Sequence, residues 1–219
     1  MSRSVPFVPK EYYHIYNRGV NKMTIFNDIL DYDRFQKLLY IVNSKETGKF
    51  SNIIKSKKFL FDQERGETLI DIGAYCLMPN HFHLLVKIKN QKDAAIFLQR
   101  LQLSYSKYFN VKNKRSGVLF QGKSKSRHII QNNDLKYNFS YIHLNPVKLI
   151  QKNWKDDGIK DIKKTIKYLS SYKYSSYLDF VESKRPELNI LNRSVFPNYF
   201  SSSKLFKKEL LEWLNYDKN

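Results

Sequence analysis

The 219-residue sequence has one cysteine, Cys76. A lone thiol builds neither a disulfide framework nor a Cys-rich zinc module, so the chain reads as intracellular and reducing. Long apolar runs are missing too. None approaches the ~20 residues that cross a bilayer, and the opening MSRSVPFVPKEYY lacks the apolar centre of a signal peptide. No internal repeat, low-complexity tract or Walker-type phosphate loop is present. Acidic residues are scarce: 20 Asp and Glu stand against 39 Lys and Arg, a formal net charge of +19. That excess does not suit an ordinary enzyme of small neutral substrates. It points to a polyanionic partner, either nucleic acid or an anionic membrane surface.

What is present separates the two. Hydrophobic residues make up 42% of the chain and charged residues 27%, enough for one sizeable domain with an appendage. The positive charge is spread along the chain, not gathered in a basic amphipathic helix or polybasic tail, which disfavours a membrane. It is interleaved with aromatics, 15% of all residues, and rings among cations suit stacked, unpaired bases.

Local patterns give an element order. His14 to Asn17 reads as a short strand, and Asp31 to Asn43 carries Phe35, Leu38, Leu39 and Val42 at helical spacing. The lysine-rich stretch 44–67 has no clear period and reads as an extended loop or a pair of short strands. Leu69 to Leu77 and His81 to Ile88 are strands joined by the turn residues Met78-Pro79-Asn80. A long amphipathic helix follows from Lys92, with Ala94, Phe97, Leu98, Leu101, Tyr105 and Tyr108 recurring every three or four residues. A strand is expected within Val118 to Ile130. Next comes a helix capped by Asn133 or Asp134, with Leu135, Phe139 and Ile142 as its apolar line and Pro146 at its end. This order predicts an α+β fold over residues 1–150, an antiparallel sheet with helices packed on one face, and a mostly helical C-terminal extension over 151–219.

Two constellations carry chemistry. In His81-Phe82-His83 on a strand, both imidazoles project from one face and Phe82 anchors the other, which supplies two-thirds of a metal site. On the later helix, Tyr137, Tyr141 and Asn145 stand four residues apart on one face, distinct from the apolar line. Asn145 can offer a carbonyl oxygen to a metal and Tyr141 a hydroxyl nucleophile, or Asn145 can simply end the helix before Pro146. Between Lys112 and Arg127 lie Lys112, Lys114, Arg115, Lys123, Lys125 and Arg127 without an acid, a stretch suited to gripping phosphates, and Arg18 extends this character from the first strand.

The segment Tyr75-Cys76-Leu77-Met78-Pro79-Asn80-His81-Phe82-His83-Leu84-Leu85 resembles the HUH (His, hydrophobe, His) segment of the single-tyrosine transposases. Tyr141-Ile142-His143-Leu144-Asn145-Pro146-Val147-Lys148 is similar to the tyrosine helix of their REP-associated branch. Weaker matches fall in order at His14-Ile15-Tyr16-Asn17-Arg18-Gly19, Leu119-Phe120-Gln121-Gly122-Lys123 and Tyr174-Ser175-Ser176-Tyr177, with 44–67 as an insertion. The resemblance implies a ferredoxin-like or RRM-like nuclease core that cuts and rejoins single-stranded DNA beside hairpins or inverted repeats through a 5′-phosphotyrosine. Carried over by position, Tyr141 is the nucleophile and His81, His83 and Asn145 hold the metal. Two imidazoles alone would suit zinc; the resemblance favours Mg²⁺ or Mn²⁺. The chain would act in the cytoplasm, at the nucleoid when on DNA, as a monomer or as a homodimer.

Two other readings stay open at this stage. One keeps the fold and drops the chemistry, leaving a domesticated DNA- or RNA-binding protein, although the paired-aromatic RNA-recognition signature is absent. The other is a hydrolase of nucleic acid in which His14 or His128 completes a three-histidine metal site and water is the nucleophile.

Overall fold

The computed structural model describes residues 6–46, 60–181, 184–197 and 203–216. Four strands form one antiparallel sheet: β1 (Tyr12–Arg18), β2 (Ile70–Met78), β3 (His81–Ile88) and β4 (Lys125–Ile129), in the order β2-β3-β1-β4. Between them come α1 (Ile29–Ile41), α2 (Gln91–Lys112) and, after β4, α3 (Asn132–Leu144). The extension adds α4 (Trp154–Asp157), α5 (Ile162–Ser171), α6 (Tyr177–Val181) and α7 (Ser203–Tyr216). Of the stretch 44–67, the described ends are held together by the Lys45 amide on the Glu67 carbonyl and the Ser44–Thr68 bridge. Its middle lies outside the described residues.

Alternation along the strands sends two sets of side chains to two cores. Tyr13 and Ile15 of β1 and Phe82, Leu84 and Val86 of β3 face a core built with Phe35 and Leu39 of α1 and Phe97, Leu101 and Tyr105 of α2. A bulge between Ile72 and Ala74 of β2 returns Tyr75 and Leu77 to this same side. The other side of β2 and β3, carrying Ala74, Cys76, Met78 and Leu85, is covered by Leu135, Phe139 and Ile142 of α3 together with Trp154, Leu169, Tyr177 and Phe206 of the extension. The α+β sheet backed by helices is as the sequence predicts. The structure adds a second layer: helices cover both faces, and the extension shares its core with α3 and β2.

Caps set the helix starts. The Asp28 carboxylate accepts the Leu30 and Asp31 amides at the head of α1, and the Asn90 side chain accepts the Asp93 amide at the head of α2. The expected cap of α3 is different. That helix begins at Asn132, before Asn133 and Asp134, with no side chain bonded at its cap. The Leu135 amide reaches the Gln131 carbonyl instead, and Asp134 sits in the first turn, where its charge meets the helix dipole. At the other end Pro146 takes the second position of a 3-10 turn, Asn145–Leu149, which continues directly from α3.

Each of the three weaker motifs supplies contacts that hold the fold. The Asn17 side chain donates to Gln102 Oε1 (2.7 Å) and to the Gly122 carbonyl (3.0 Å), while the Gln121 amide donates to the Arg18 carbonyl (2.8 Å). The first-strand motif and the 119–123 motif are thereby tied to each other. Gly19 leaves no room for a side chain: a Cβ there would lie 2.3 Å from the Met23 carbonyl oxygen. Residues 174–176 run along the free edge of β2, with the Leu77 amide donating to the Tyr174 carbonyl and the Ser176 amide to the Tyr75 carbonyl, both at 2.9 Å. An open sheet edge is closed in this way.

Candidate active site and metal centre

On β3, His81 and His83 share the face that α3 covers, and Phe82 is fully buried on the other, 5.1 Å from Phe35 between ring centroids. The antiparallel register places Arg18 opposite His81, and Tyr16 and Cys76 opposite His83. His14 is two residues from Tyr16 along β1, so it is the diagonal neighbour of His83. Its Nε2 lies 2.8 Å from His83 Nδ1.

Each histidine of the pair is oriented by one ring nitrogen. His81 Nδ1 donates to Asn80 Oδ1 at 2.6 Å, because an amide oxygen only accepts, so Nε2 keeps its lone pair. His83 Nε2 is buried and has no hydrogen-bond partner. Burial, then the positive charge nearby, lowers the pKa values of His14 and His81 to about 4 and that of His83 well below the ordinary value. All three rings are therefore neutral at pH 7, as metal ligation requires.

Tyr141 reaches the same place from α3. Its ring centroid is 5.7 Å from that of His83 and 5.9 Å from that of His14, edge-on to both. Tyr137, one turn earlier, stacks on it at 6.1 Å. Burial raises the phenol pKa, partly offset by a hydrogen bond with the Asn145 side chain. Asn145, fully buried at the end of α3, donates its Nδ2 to the Tyr141 carbonyl at 2.9 Å and leaves Oδ1 without a partner. A buried acceptor left unpaired costs about 1–3 kcal/mol. His83 Nε2 and Asn145 Oδ1 are two of the buried side-chain atoms left without a partner, and with His81 Nε2 they are donors of a kind that could hold a divalent cation with open positions left over. His143, by contrast, is fully buried and structural, its Nδ1 on the Phe139 carbonyl and its Nε2 on Ser176 Oγ.

The charged groups acting on these imidazoles are cations: Arg127 and Lys155 on His14, Lys148 and Arg18 on His81, Lys148 and Lys155 on His83. Lys155 Nζ stands 4.0 Å from the centroid of the Tyr141 ring. Neither Lys148 nor Lys155 was given a role from sequence: Lys148 comes from the 3-10 turn that continues α3, and Lys155 is brought here by the packing of the extension. Of the basic residues that were given one, Lys125 and Arg127 project from the site face of β4, opposite Tyr16 and His14, and are exposed. Arg18 is exposed at the end of β1, its Nε bonded to the Gln121 side chain. Lys123 is exposed in the bend before β4.

The other three lie elsewhere. Lys112, Lys114 and Arg115 are at the end of α2, whose buried face packs on the opposite side of the sheet. Arg115 bonds to Asn110 and the Val118 carbonyl. Lys112 corrects the phosphate-gripping expectation: its ammonium lies 2.7 Å from Asp28 and 2.6 Å from the fully buried Asp31 carboxylate, so its charge is met within the fold. His128 stacks on Tyr13 on that far side, at 4.7 Å between centroids. Of the two histidines considered for a three-histidine site, His14 turns its Nε2 to His83 Nδ1 and His128 lies with Tyr13; among the described residues no group of three or more His, Cys, Asp or Glu is arranged to hold a metal.

Comparison with known proteins gives a family match and a fold match. Residues 58–145, which include His81, His83, Tyr141 and Asn145, match the family of IS200-like transposases. A solved REP-associated tyrosine transposase bound to a REP hairpin superposes with a TM-score of 0.51 at 14% identity, covering 82% of this chain and 85% of that one. A bacterial tRNA(His) guanylyltransferase-like protein in complex with ATP reaches a TM-score of only 0.37 at 10% identity over 77% and 73%, too low to signify a shared fold. No curated protein matches the sequence. The stretch that carries the histidine pair and the tyrosine is thus similar to the IS200-like transposases, and the fold of the chain is similar to that of a REP-associated tyrosine transposase.

Proposed function

We propose that the protein is a single-strand DNA transposase or endonuclease that cuts and rejoins DNA near hairpin sequences through a 5′-phosphotyrosine on Tyr141. The observation that carries this reading is the Tyr141 ring 5.7 Å from His83, whose buried Nε2 has no partner. A module that only bound nucleic acid would have no use for that orphaned pair of donors, His83 Nε2 and Asn145 Oδ1.

Arg18, Lys125, Arg127, Lys148 and Lys155 attract the phosphodiester to the site face. His81, His83 and Asn145 would hold Mg²⁺ or Mn²⁺, which when bound offsets the charge that builds on the phosphate oxygens. The raised phenol pKa keeps Tyr141 protonated before DNA arrives. On reaction the Tyr141 oxygen bonds to phosphorus and its proton passes to water, while the bond from phosphorus to the 3′ oxygen breaks and that oxygen takes a proton from water to leave as a 3′-hydroxyl. The phosphotyrosyl ester conserves the energy of the cut bond, so attack by another 3′-hydroxyl reseals DNA without ATP. Lys155, over the phenol ring, is placed to balance the charge of the phenolate as it forms. Because α3 docks on the sheet of its own chain, the geometry supports a site complete in one protomer.

The test is a denaturing gel of the protein with labelled single-stranded hairpin DNA from the flanks of its own gene, in Mn²⁺ or Mg²⁺. A covalent protein–DNA adduct that disappears in Tyr141→Phe and in His81→Ala is expected. Cutting without an adduct, persisting in Tyr141→Phe, would favour water as the nucleophile. Binding with neither cut nor adduct would favour a binding protein.

A further inference from the structure

The geometry points to His14 as the positioning residue of the metal centre, accepting the Nδ1 proton of His83 so that the Nε2 lone pair of His83 is fixed in place for the cation. This inference rests on the ligand role proposed for His83, and deepens it.

The reasoning starts from the imidazole itself. A neutral ring has one N–H and one lone pair, so a ring that coordinates through Nε2 carries its proton on Nδ1. That proton needs an acceptor when it is buried. In many metal sites a carboxylate or a backbone carbonyl fills this place, fixing tautomer and ring orientation together. Around His83 the acceptor is another imidazole: His14 Nε2 at 2.8 Å, with both residues only 6% exposed. His14 must then carry its own proton on Nδ1, and the two rings lie nearly parallel, 30° apart with centroids 5.0 Å apart.

Neighbours leave His14 little freedom to do anything else. Tyr16 lies beside it on the same strand face at 5.2 Å, and the edge of Tyr141 closes it from above at 5.9 Å. Arg127 is its cross-strand partner on β4, and Lys155 approaches from the extension. A neutral acceptor suits such surroundings, because it orients His83 without adding a negative charge where the anionic DNA backbone must come. His14 also belongs to the first-strand motif, whose other polar members have structural tasks of their own. Asn17 ties β1 to Gly122 and Arg18 bonds to Gln121, while the single side-chain hydrogen bond described for His14 is to His83.

The first experiment reads the tautomer in the metal-free full chain, by long-range ¹H–¹⁵N correlation of the histidine rings. His83 is expected as the Nδ1–H form in the native protein and in His14→Gln, whose side-chain oxygen can accept the same proton, and not in His14→Ala. An Nε2–H form of His83 in the native protein would overturn the proposal, whatever the adduct assay shows. The second experiment titrates Mn²⁺ by its electron paramagnetic resonance signal. His14→Ala is expected to weaken binding about 10- to 100-fold, with His14→Gln staying within a few-fold of native. Unfolding curves for both variants show whether each is folded at the assay temperature. Equal Mn²⁺ affinity in folded His14→Ala would refute the positioning role. If electron spin-echo modulation counted one fewer coupled imidazole in His14→Gln than in the native protein, His14 would be a ligand and the proposal wrong.

Discussion

Replacing Ser176 by alanine removes one oxygen, yet it should be among the costliest single changes outside the metal centre. Ser176 is fully buried in the strip that closes the edge of β2. Its Oγ accepts the Tyr75 amide at 2.9 Å and lies 2.8 Å from His143 Nε2. His143 Nδ1 is 2.9 Å from the Phe139 carbonyl and must donate to it, so Nε2 is the acceptor and the Ser176 hydroxyl its donor. One hydroxyl thus joins β2, where the strand leads to the His pair, to α3, which carries Tyr141. Alanine leaves two buried groups unpaired, the Tyr75 N–H and His143 Nε2. At about 1–3 kcal/mol each, the loss should be about 2–6 kcal/mol. Urea unfolding at unchanged slope measures it. A second arm uses His143→Phe, which removes the orphaned acceptor: the double variant should lose clearly less than the sum of the singles, with a coupling of at least about 0.5 kcal/mol. Loss below about 0.5 kcal/mol in Ser176→Ala, or strict additivity, would refute the clamp.

Other outcomes follow from the same coordinates. Lys155→Ala should slow adduct formation while leaving Mn²⁺ affinity within a few-fold of native, measured by single-turnover gels and metal titration; unchanged rates would remove Lys155 from the site chemistry. Lys112→Met should destabilise by about 2 kcal/mol, less than the loss for a fully buried pair because the lysine is partly exposed. It should leave the salt dependence of DNA binding unchanged, whereas Arg127→Ala should flatten that slope. Acid should weaken the metal-free protein. His14 and His143 fall from 6.5 to about 4 and about 3 on folding, so the folded state binds fewer protons. Their contribution is complete above pH 6.5 and is lost as pH falls toward 4, about 2 kcal/mol for each at pH 5. Equal urea midpoints in EDTA at pH 7 and pH 5 would contradict this. Finally, burial pushes the Cys76 thiol far above its ordinary pKa, so thiol reagents at pH 8 should label it only after unfolding.

Much of this protein was legible in its residues because the decisive signals are local. Side-chain alternation put His81 and His83 on one face and Phe82 on the other, and the structure has that arrangement. Helical spacing put Tyr141 and Asn145 on one face; the Tyr141 ring lies beside His83, and the Asn145 amide reaches back to the Tyr141 carbonyl. The strands read at 69–77 and 81–88 came from apolar runs broken by turn residues, and the helices on either side from periodicity; the structure has the strands at Ile70–Met78 and His81–Ile88. The cap of α3 was misread because a backbone carbonyl could satisfy the amide that a side chain was expected to take.

What only the tertiary structure decided is which distant groups share a space. His14 lies 69 residues from His83 in sequence, and only the β1–β3 register makes them neighbours. Lys155 comes from the extension, and nothing in its local sequence marks it as the cation over Tyr141. Lys112 looked like its basic neighbours until α1 supplied two carboxylates to it. Sequence fixes the side-chain chemistry and its period along one element. Partners across elements are set by strand register and by which faces bury their apolar surface together, and those are properties of the whole packed chain.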